Sequence, residues 1–120
     1  MGLNVVDAAS LFADLAVSLG RLQEVRDLAV LAFGEGRVSA IEHGPDGFDS
    51  DRGWESWAFS VTVNGRSVWA WVSVEHDWFT RCVDQWACGI WVPDCDDWRH
   101  ADDDTAEVWF AMLRDAVLTV

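Results

Sequence analysis

The chain has 120 residues, of which 51% are hydrophobic and nine are Trp, enough apolar material for one folded domain spanning residues 1–120. Its 21 acidic residues against eight arginines give a net charge of −13, which disfavours nucleic acid and anionic membrane surfaces as partners. The absence of Lys and Tyr is typical of GC-rich coding sequences and indicates an actinobacterium or its phage as the source.

The amino-terminal stretch MGLNVVDAASLFADLAV has no cationic residue and is interrupted by Asp7 and Asp14. Neither a signal peptide nor a membrane span fits this pattern, so we expect a cytoplasmic protein, in the host cytoplasm if a phage encodes it. Three cysteines, an odd number in a reducing compartment, argue against a framework of disulfides.

Apolar residues recur at helical spacing from Asp7 to Phe33, which predicts an amphipathic first helix. Gly20 lies inside this pattern and costs about 1 kcal/mol relative to Ala, so a kink or a break is expected there. A short strand is predicted over residues 37–43, and residues 44–53 read as an acidic loop without periodicity.

The clearest local pattern is a hairpin. Two β-patterned runs, residues 54–63 and 66–75, flank Asn64-Gly65, a dipeptide that suits a two-residue hairpin turn. That turn fixes the register and places a mostly apolar set of side chains, which includes Phe59 and Trp57, toward the core, because side chains alternate between the two faces of a strand. The opposite face then carries Trp69 and Trp71, each across from a small residue.

A third strand fits residues 86–92 and a closing helix fits residues 105–118, while residues 78–85 fit either a strand or an ordered loop. This order predicts an α+β domain, an antiparallel meander of three to four strands with both helices on one face of the sheet. The other face must be covered by the segment around residues 76–86, by the acidic loop, or by a second copy in a homodimer. Three indoles are expected on it: Trp69, Trp71 and Trp91.

Two groups of residues are candidates for a chemical site. Cys82, Cys88, Cys95 and His100 are potential metal ligands, but five, six and four residues separate them and no C-x-x-C pair exists, so we expect no metal and no cofactor. Glu75, His76 and Asp77 follow an aromatic strand and give the alternative of a small enzyme or ligand-binding domain with a Trp-lined pocket. We expect no enzyme, because a chain this short leaves little room for a deep pocket.

The stretch PDCDDWRHADDD, residues 93–104, contains six aspartates. Acids next to the closing helix can cap it, but those further upstream cannot. Complementary charge raises the rate of encounter, and aromatic anchors supply affinity. The pattern therefore favours a non-enzymatic inhibitor that covers a basic site on a partner protein, as phage counter-defence proteins, toxin-immunity proteins and nucleic-acid mimics do. The residues expected to contact the partner are Asp49, Asp51, Trp54, Trp69, Trp71, Trp91, Asp94, Asp96, Asp97, Trp98, Asp102 and Asp103.

One double variant distinguishes the inhibitor from the enzyme. Reversing Asp96 and Asp97 together to Arg is expected to leave thermal stability nearly unchanged while slowing capture of the partner, and association at the normal rate would contradict the inhibitor hypothesis.

Overall fold

A computed structural model describes residues 5–44, 54–76, 83–101 and 105–118, with side chains for residues 16–44, 55–74, 87–101 and 105–118. The chain begins with helix α1 and ends with helix α2, and five strands lie between them in the described residues. In chain order these elements are α1 (Val5–Phe33), β1 (Glu42–His43), β2 (Trp54–Val63), β3 (Arg66–His76), β4 (Val83–Val92), β5 (Asp97–His100) and α2 (Ala106–Leu118).

The strands form one antiparallel sheet in the order β1-β2-β3-β4-β5, so each strand pairs with its neighbour in the sequence. The predicted α+β meander is therefore confirmed, with five strands in the described chain where three to four were expected. The β2–β3 register is also the predicted one. Val63 pairs with Arg66 across a turn in which Asn64 and Gly65 have φ values of 53° and 79°. Asn and Gly are the residues that adopt positive φ most readily, which is why this turn forms here.

The edge strands differ from the prediction. The strand expected over residues 37–43 is reduced to Glu42–His43, because Glu35–Arg37 forms a 3-10 turn and Val38 makes only an isolated bridge to Val61. Strand β5, Asp97–His100, lies in the aspartate-rich stretch 93–104, where the sequence predicted no strand.

Helix α1 runs without interruption through Gly20, so the break expected there is absent. Packing of the following turns explains this, because Leu22, Val25 and Ala29 are fully buried against the sheet and tertiary packing outweighs the propensity of one residue. In the described part of the chain, no helix combines the length and the apolar character needed to cross a membrane.

Both helices pack on the same face of the sheet, as predicted. Complete burial of a large aliphatic side chain contributes about 1.5–3 kcal/mol, so this single layer of contacts supplies the main driving force for folding. Trp109 of α2 lies at its centre with no exposed surface, and its indole Nε1 donates a hydrogen bond to the carbonyl oxygen of Gly89 at 3.0 Å. The strand residues buried in this core are Phe59, Val61, Val68, Ala70, Val72, Val74, Cys88, Ile90 and Val92.

Candidate partner-binding surface

An aromatic cluster occupies the face of the sheet opposite the helices, where β3, β4 and β5 lie side by side. Trp91 and Trp98 are directly paired between β4 and β5, and their rings stack with centroids 4.7 Å apart and planes 13° apart. Trp71 makes a T-shaped contact with Trp98 at a centroid distance of 5.7 Å and another with the ring of His100, also at 5.7 Å. We call Trp71, Trp91, Trp98 and His100 the aromatic cluster.

Gly89 makes room for this cluster. It lies in β4 between Trp71 and His100, because it pairs with Trp71 on one side and with His100 on the other. A Cβ atom at this position would overlap the backbone carbonyl oxygen of Arg99, so β5 approaches β4 more closely than a side chain would permit. The missing side chain allows the rings of Trp71 and His100 to meet across the strand between them.

The carboxylate of Asp96 holds the stacked pair. Trp98 Nε1 donates to Asp96 Oδ1 at 2.9 Å, and Trp91 Nε1 donates to the same oxygen at 3.3 Å. Asp96 follows the 3-10 turn Pro93–Cys95 and has left-handed backbone angles, φ 49° and ψ 44°. Asp adopts this conformation more easily than most residues, and its short side chain returns to the adjacent strands. Asp96 therefore stabilises the aromatic cluster through its hydrogen bonds and also carries a negative charge at the surface.

The neighbouring acids Asp94 and Asp97 each pair with an arginine. Asp94 Oδ2 accepts a hydrogen bond from Arg66 Nε at 3.0 Å, and Asp97 Oδ2 accepts one from Arg99 Nε at 2.9 Å. Three carboxylates against two guanidinium groups leave one surplus negative charge among these described side chains. Most of the net charge of −13 lies elsewhere in the chain, and it adds to the negative electrostatic potential at this surface.

Exposure decides which rings can contact a partner. Trp98 is 40% exposed, and Trp69 and Trp91 are half-buried, whereas Trp71 is only 4% exposed. The sequence-based assignment of Trp71 to the contact surface is thus corrected, because this ring supports Trp98 from beneath. Trp71 Nε1 is buried and finds no hydrogen-bond acceptor in the described part of the chain.

Part of the same face is already covered within one chain. Ser56, Ala58 and Ser73 are buried there, and the two serine hydroxyls are hydrogen-bonded at 2.7 Å. This region offers no surface to a second copy, so a homodimer through this face would have to use the more exposed rings near β5.

Other predicted site residues are not placed at this surface. Asp49, Asp51, Asp77, Asp102 and Asp103 lie outside the described residues. Trp54, Glu75 and His76 are placed in their strands by the backbone only. The contribution of the acidic loop at residues 44–53 and the alternative site at residues 75–77 both stay predictions.

The potential metal ligands are separated by the sheet. Cys88 is buried on the helix-facing side, whereas His100 belongs to the aromatic cluster on the opposite side. Cys95 is exposed, its thiol 3.8 Å from the carbonyl oxygen of Val92, and Cys82 lies outside the described residues. Within the described ranges, no three His, Cys, Asp or Glu side chains are placed to hold a metal ion.

Gly89 and His100 contribute to this surface although the sequence did not predict that they would. A signal for His100 was present, because Asp97-Trp98-Arg99-His100 alternates a charged pair with an aromatic pair, the period of a strand. Gly89 inside a strand pattern is itself a sign of close backbone approach.

Replacing Asp96 by Gly should lower the free energy of unfolding by about 1–2 kcal/mol, because two indole N–H groups lose their acceptor while the left-handed backbone remains unstrained. Asp96→Asn is the matched control, since its side-chain oxygen still accepts. Urea denaturation measures stability, and acrylamide quenching of Trp fluorescence measures how loosely the rings are held. Equal stability and equal quenching in wild type and Asp96→Gly would show that the carboxylate does not hold the pair.

An anchored, partly exposed indole thus lies at the β5 edge of the sheet beside the carboxylate of Asp96. Comparison with known proteins found no matching family model, no similar curated protein and no similar solved structure.

Proposed function

We propose that this chain is a non-enzymatic binding protein that uses the surface around Trp98 to cover a basic site on a partner protein. Inhibitors of the phage counter-defence and toxin-immunity kind act in this way. The observation that carries the proposal is the position of Trp98, which is 40% exposed yet stacked on Trp91 and hydrogen-bonded through its indole nitrogen to Asp96.

The fixed geometry of Trp98 favours its use as an anchor. Binding hot spots are enriched in Trp, and immobilising a side chain on binding costs about 0.5–1.5 kcal/mol. Here that loss of freedom has already occurred in the folded chain, because the ring is fixed by one stack and one hydrogen bond. More of the energy gained by burying the ring is then available for affinity.

The charges nearby favour a cationic group on the partner. A guanidinium or ammonium group placed over an indole is attracted by the ring, and the effect increases when water is excluded. Asp97 and Arg99 lie on the other side of the edge strand β5, because they pair with the core residues Val92 and Ile90. Their exposed ion pair contributes at most about 1 kcal/mol to stability, so a cation of a partner that reaches the edge of the sheet can replace Arg99 at little cost. The net charge of −13 would accelerate the approach of a basic protein.

Affinity capture from an actinobacterial lysate, followed by binding kinetics with the captured protein, tests the proposal. Trp98→Ala should weaken binding by about tenfold or more, as expected for an aromatic hot spot. Asp97→Arg should slow association by about tenfold, and the difference should shrink at high salt because charge acts on encounter. Asp115→Arg on α2 is the matched control, since Asp115 also pairs with a neighbouring arginine and the change in net charge is the same.

Unchanged affinity in Trp98→Ala, or equal slowing by Asp97→Arg and Asp115→Arg, would contradict the proposal. The alternative that this surface forms a homodimer is tested by comparing the sedimentation of wild type and Trp98→Ala. Loss of a dimer in the variant would assign this surface to self-association instead.

A further inference from the structure

The turn between β4 and β5, residues 93–96, contacts side chains on both faces of the sheet. Its Asp94 carboxylate meets Arg66 of the β2–β3 hairpin. Arg66 pairs with Val63, which packs against the core, so the arginine lies on the helix-facing side. Two residues further along the turn, the Asp96 carboxylate accepts hydrogen bonds from indoles on the opposite side. One short turn therefore connects an arginine on one face with the aromatic cluster on the other.

Arg66 is held more firmly than an exposed arginine would be. Its side chain is 25% exposed, and its Nη1 is buried without an acceptor in the described residues, so packing fixes the guanidinium. Its Nε donates to Asp94 Oδ2 at 3.0 Å. Exposed ion pairs contribute little to stability, because two long side chains must be ordered to form them. Here packing has already ordered the arginine, and its partial removal from water strengthens the bond to the carboxylate.

The backbone of the turn transmits this constraint over two residues. Pro93 has a fixed φ, and the amide of Asp96 donates to the carbonyl oxygen of Pro93 at 3.1 Å, which closes the 3-10 turn around Asp94. Asp96 Oδ1 then lies 2.9 Å from Trp98 Nε1 and 3.3 Å from Trp91 Nε1. The second distance is at the long limit for an N–H···O bond, so a small displacement of the turn breaks it.

We propose that Arg66 is a positioning residue for the anchor Trp98. Through Asp94 it fixes the turn 93–96, and the turn places Asp96 where its carboxylate holds both indoles. The consequence for binding rests on the proposed function of Trp98, whereas the effect on the rings is a property of this chain alone. A loosened turn returns freedom of movement to the Trp98 ring, and binding must then remove that freedom.

Exchange of the indole N–H groups with water, measured by ¹H–¹⁵N NMR on the full chain, tests the proposal. Arg66→Gln should accelerate exchange of the Trp98 and Trp91 indoles by about tenfold, because their shared acceptor is displaced. The Trp109 indole is a reference in the same spectrum. It is fully buried and donates to a backbone carbonyl in the core, so its exchange should stay unchanged.

Two further variants separate this role from a general loss of stability. Asp94→Ala should accelerate exchange as Arg66→Gln does, and the double variant should add nothing, because both changes break the same connection. Arg114→Gln is the matched control, since it removes the same charge from an exposed ion pair on α2 and should leave both rings unchanged. If Arg66→Gln fails to fold, Asp94→Ala decides the question, because Asp94 is 58% exposed.

Unchanged exchange at Trp98 in either folded variant would overturn the proposal. Equal acceleration at Trp109 would do so too, because the whole fold would then be loosened, and so would fully additive effects in the double variant. These measurements need no partner, so they can succeed even if Trp98→Ala leaves partner binding unchanged and the proposed function fails. If both hold, Arg66→Gln should also accelerate dissociation of the partner by about threefold.

Discussion

Alanine at position 89 should lower the free energy of unfolding by about 3 kcal/mol, the upper range for forcing a methyl group into packed space. The added Cβ would overlap the carbonyl oxygen of Arg99, which belongs to the backbone and cannot rotate away as a side chain would. Strand β5 would have to separate from β4. The hydrogen bond from Ala101 N to Cys88 O, 2.8 Å long, lies beside the point of separation.

The matched control is Gly20→Ala, the same chemical change in α1. A Cβ at Gly20 would meet nothing within 4 Å, so this variant should gain about 1 kcal/mol from helix propensity. Urea denaturation of the two variants should therefore give shifts of opposite sign. If Gly89→Ala unfolds at the wild-type urea concentration, then β5 is not held closely against β4.

Trp109→Ala should lower the free energy of unfolding by about 4 kcal/mol, within the range for truncation of a buried aromatic residue. The ring has no exposed surface and lies between α2 and the sheet, where few neighbours can move to fill the space. Its removal also leaves the carbonyl oxygen of Gly89 without the indole donor that now lies 3.0 Å away. A loss of this size is a large fraction of the stability of a typical small domain.

Two further substitutions identify the cause of the loss. Trp109→Phe keeps most of the apolar volume but removes the indole N–H, and it should cost about 2 kcal/mol. Trp98→Ala removes an indole that is 40% exposed, and loss of its stacking should cost only about 1 kcal/mol. The midpoint of urea denaturation, with an unchanged slope, gives each value. Equal losses for Trp109→Ala and Trp98→Ala would mean that α2 is not fixed through this ring.

The elements that the sequence predicted well are those set by neighbouring residues. The β2–β3 hairpin follows from Asn64-Gly65 and from the alternation on either side of it, and the structure has the predicted pairing. Both helices follow from apolar residues at helical spacing, with bounds that differ from the prediction by one or two residues. These patterns need no knowledge of distant contacts, which is why they could be read directly.

Strand β5 and the surface it forms depend on distant contacts. Its four residues are two ion-paired side chains and two aromatic rings, so no apolar face distinguishes it from a loop. Gly89 in β4 decides how closely this strand can approach, and that effect becomes visible only when the two backbones are placed together.

The roles of individual aspartates could not be predicted either, because they also depend on contacts between residues distant in the sequence. Reversal of Asp96 and Asp97 was expected to leave stability unchanged, but Asp96 accepts hydrogen bonds from two indoles and has a positive φ. We therefore expect a nearly unchanged stability only when Asp97 alone is reversed to Arg, because its partner Arg99 is exposed. Composition could not separate a solvated acid from one that joins two rings.

The left-handed conformation of Asp96 narrows the range of amino acids that position 96 can accept during sequence drift. Gly suits the backbone but lacks the oxygen that accepts from the two indoles, and Glu has an acceptor but resists positive φ. Asp and Asn meet both demands, so one of these two should persist at this position in divergent descendants even where the surrounding acids are exchanged freely.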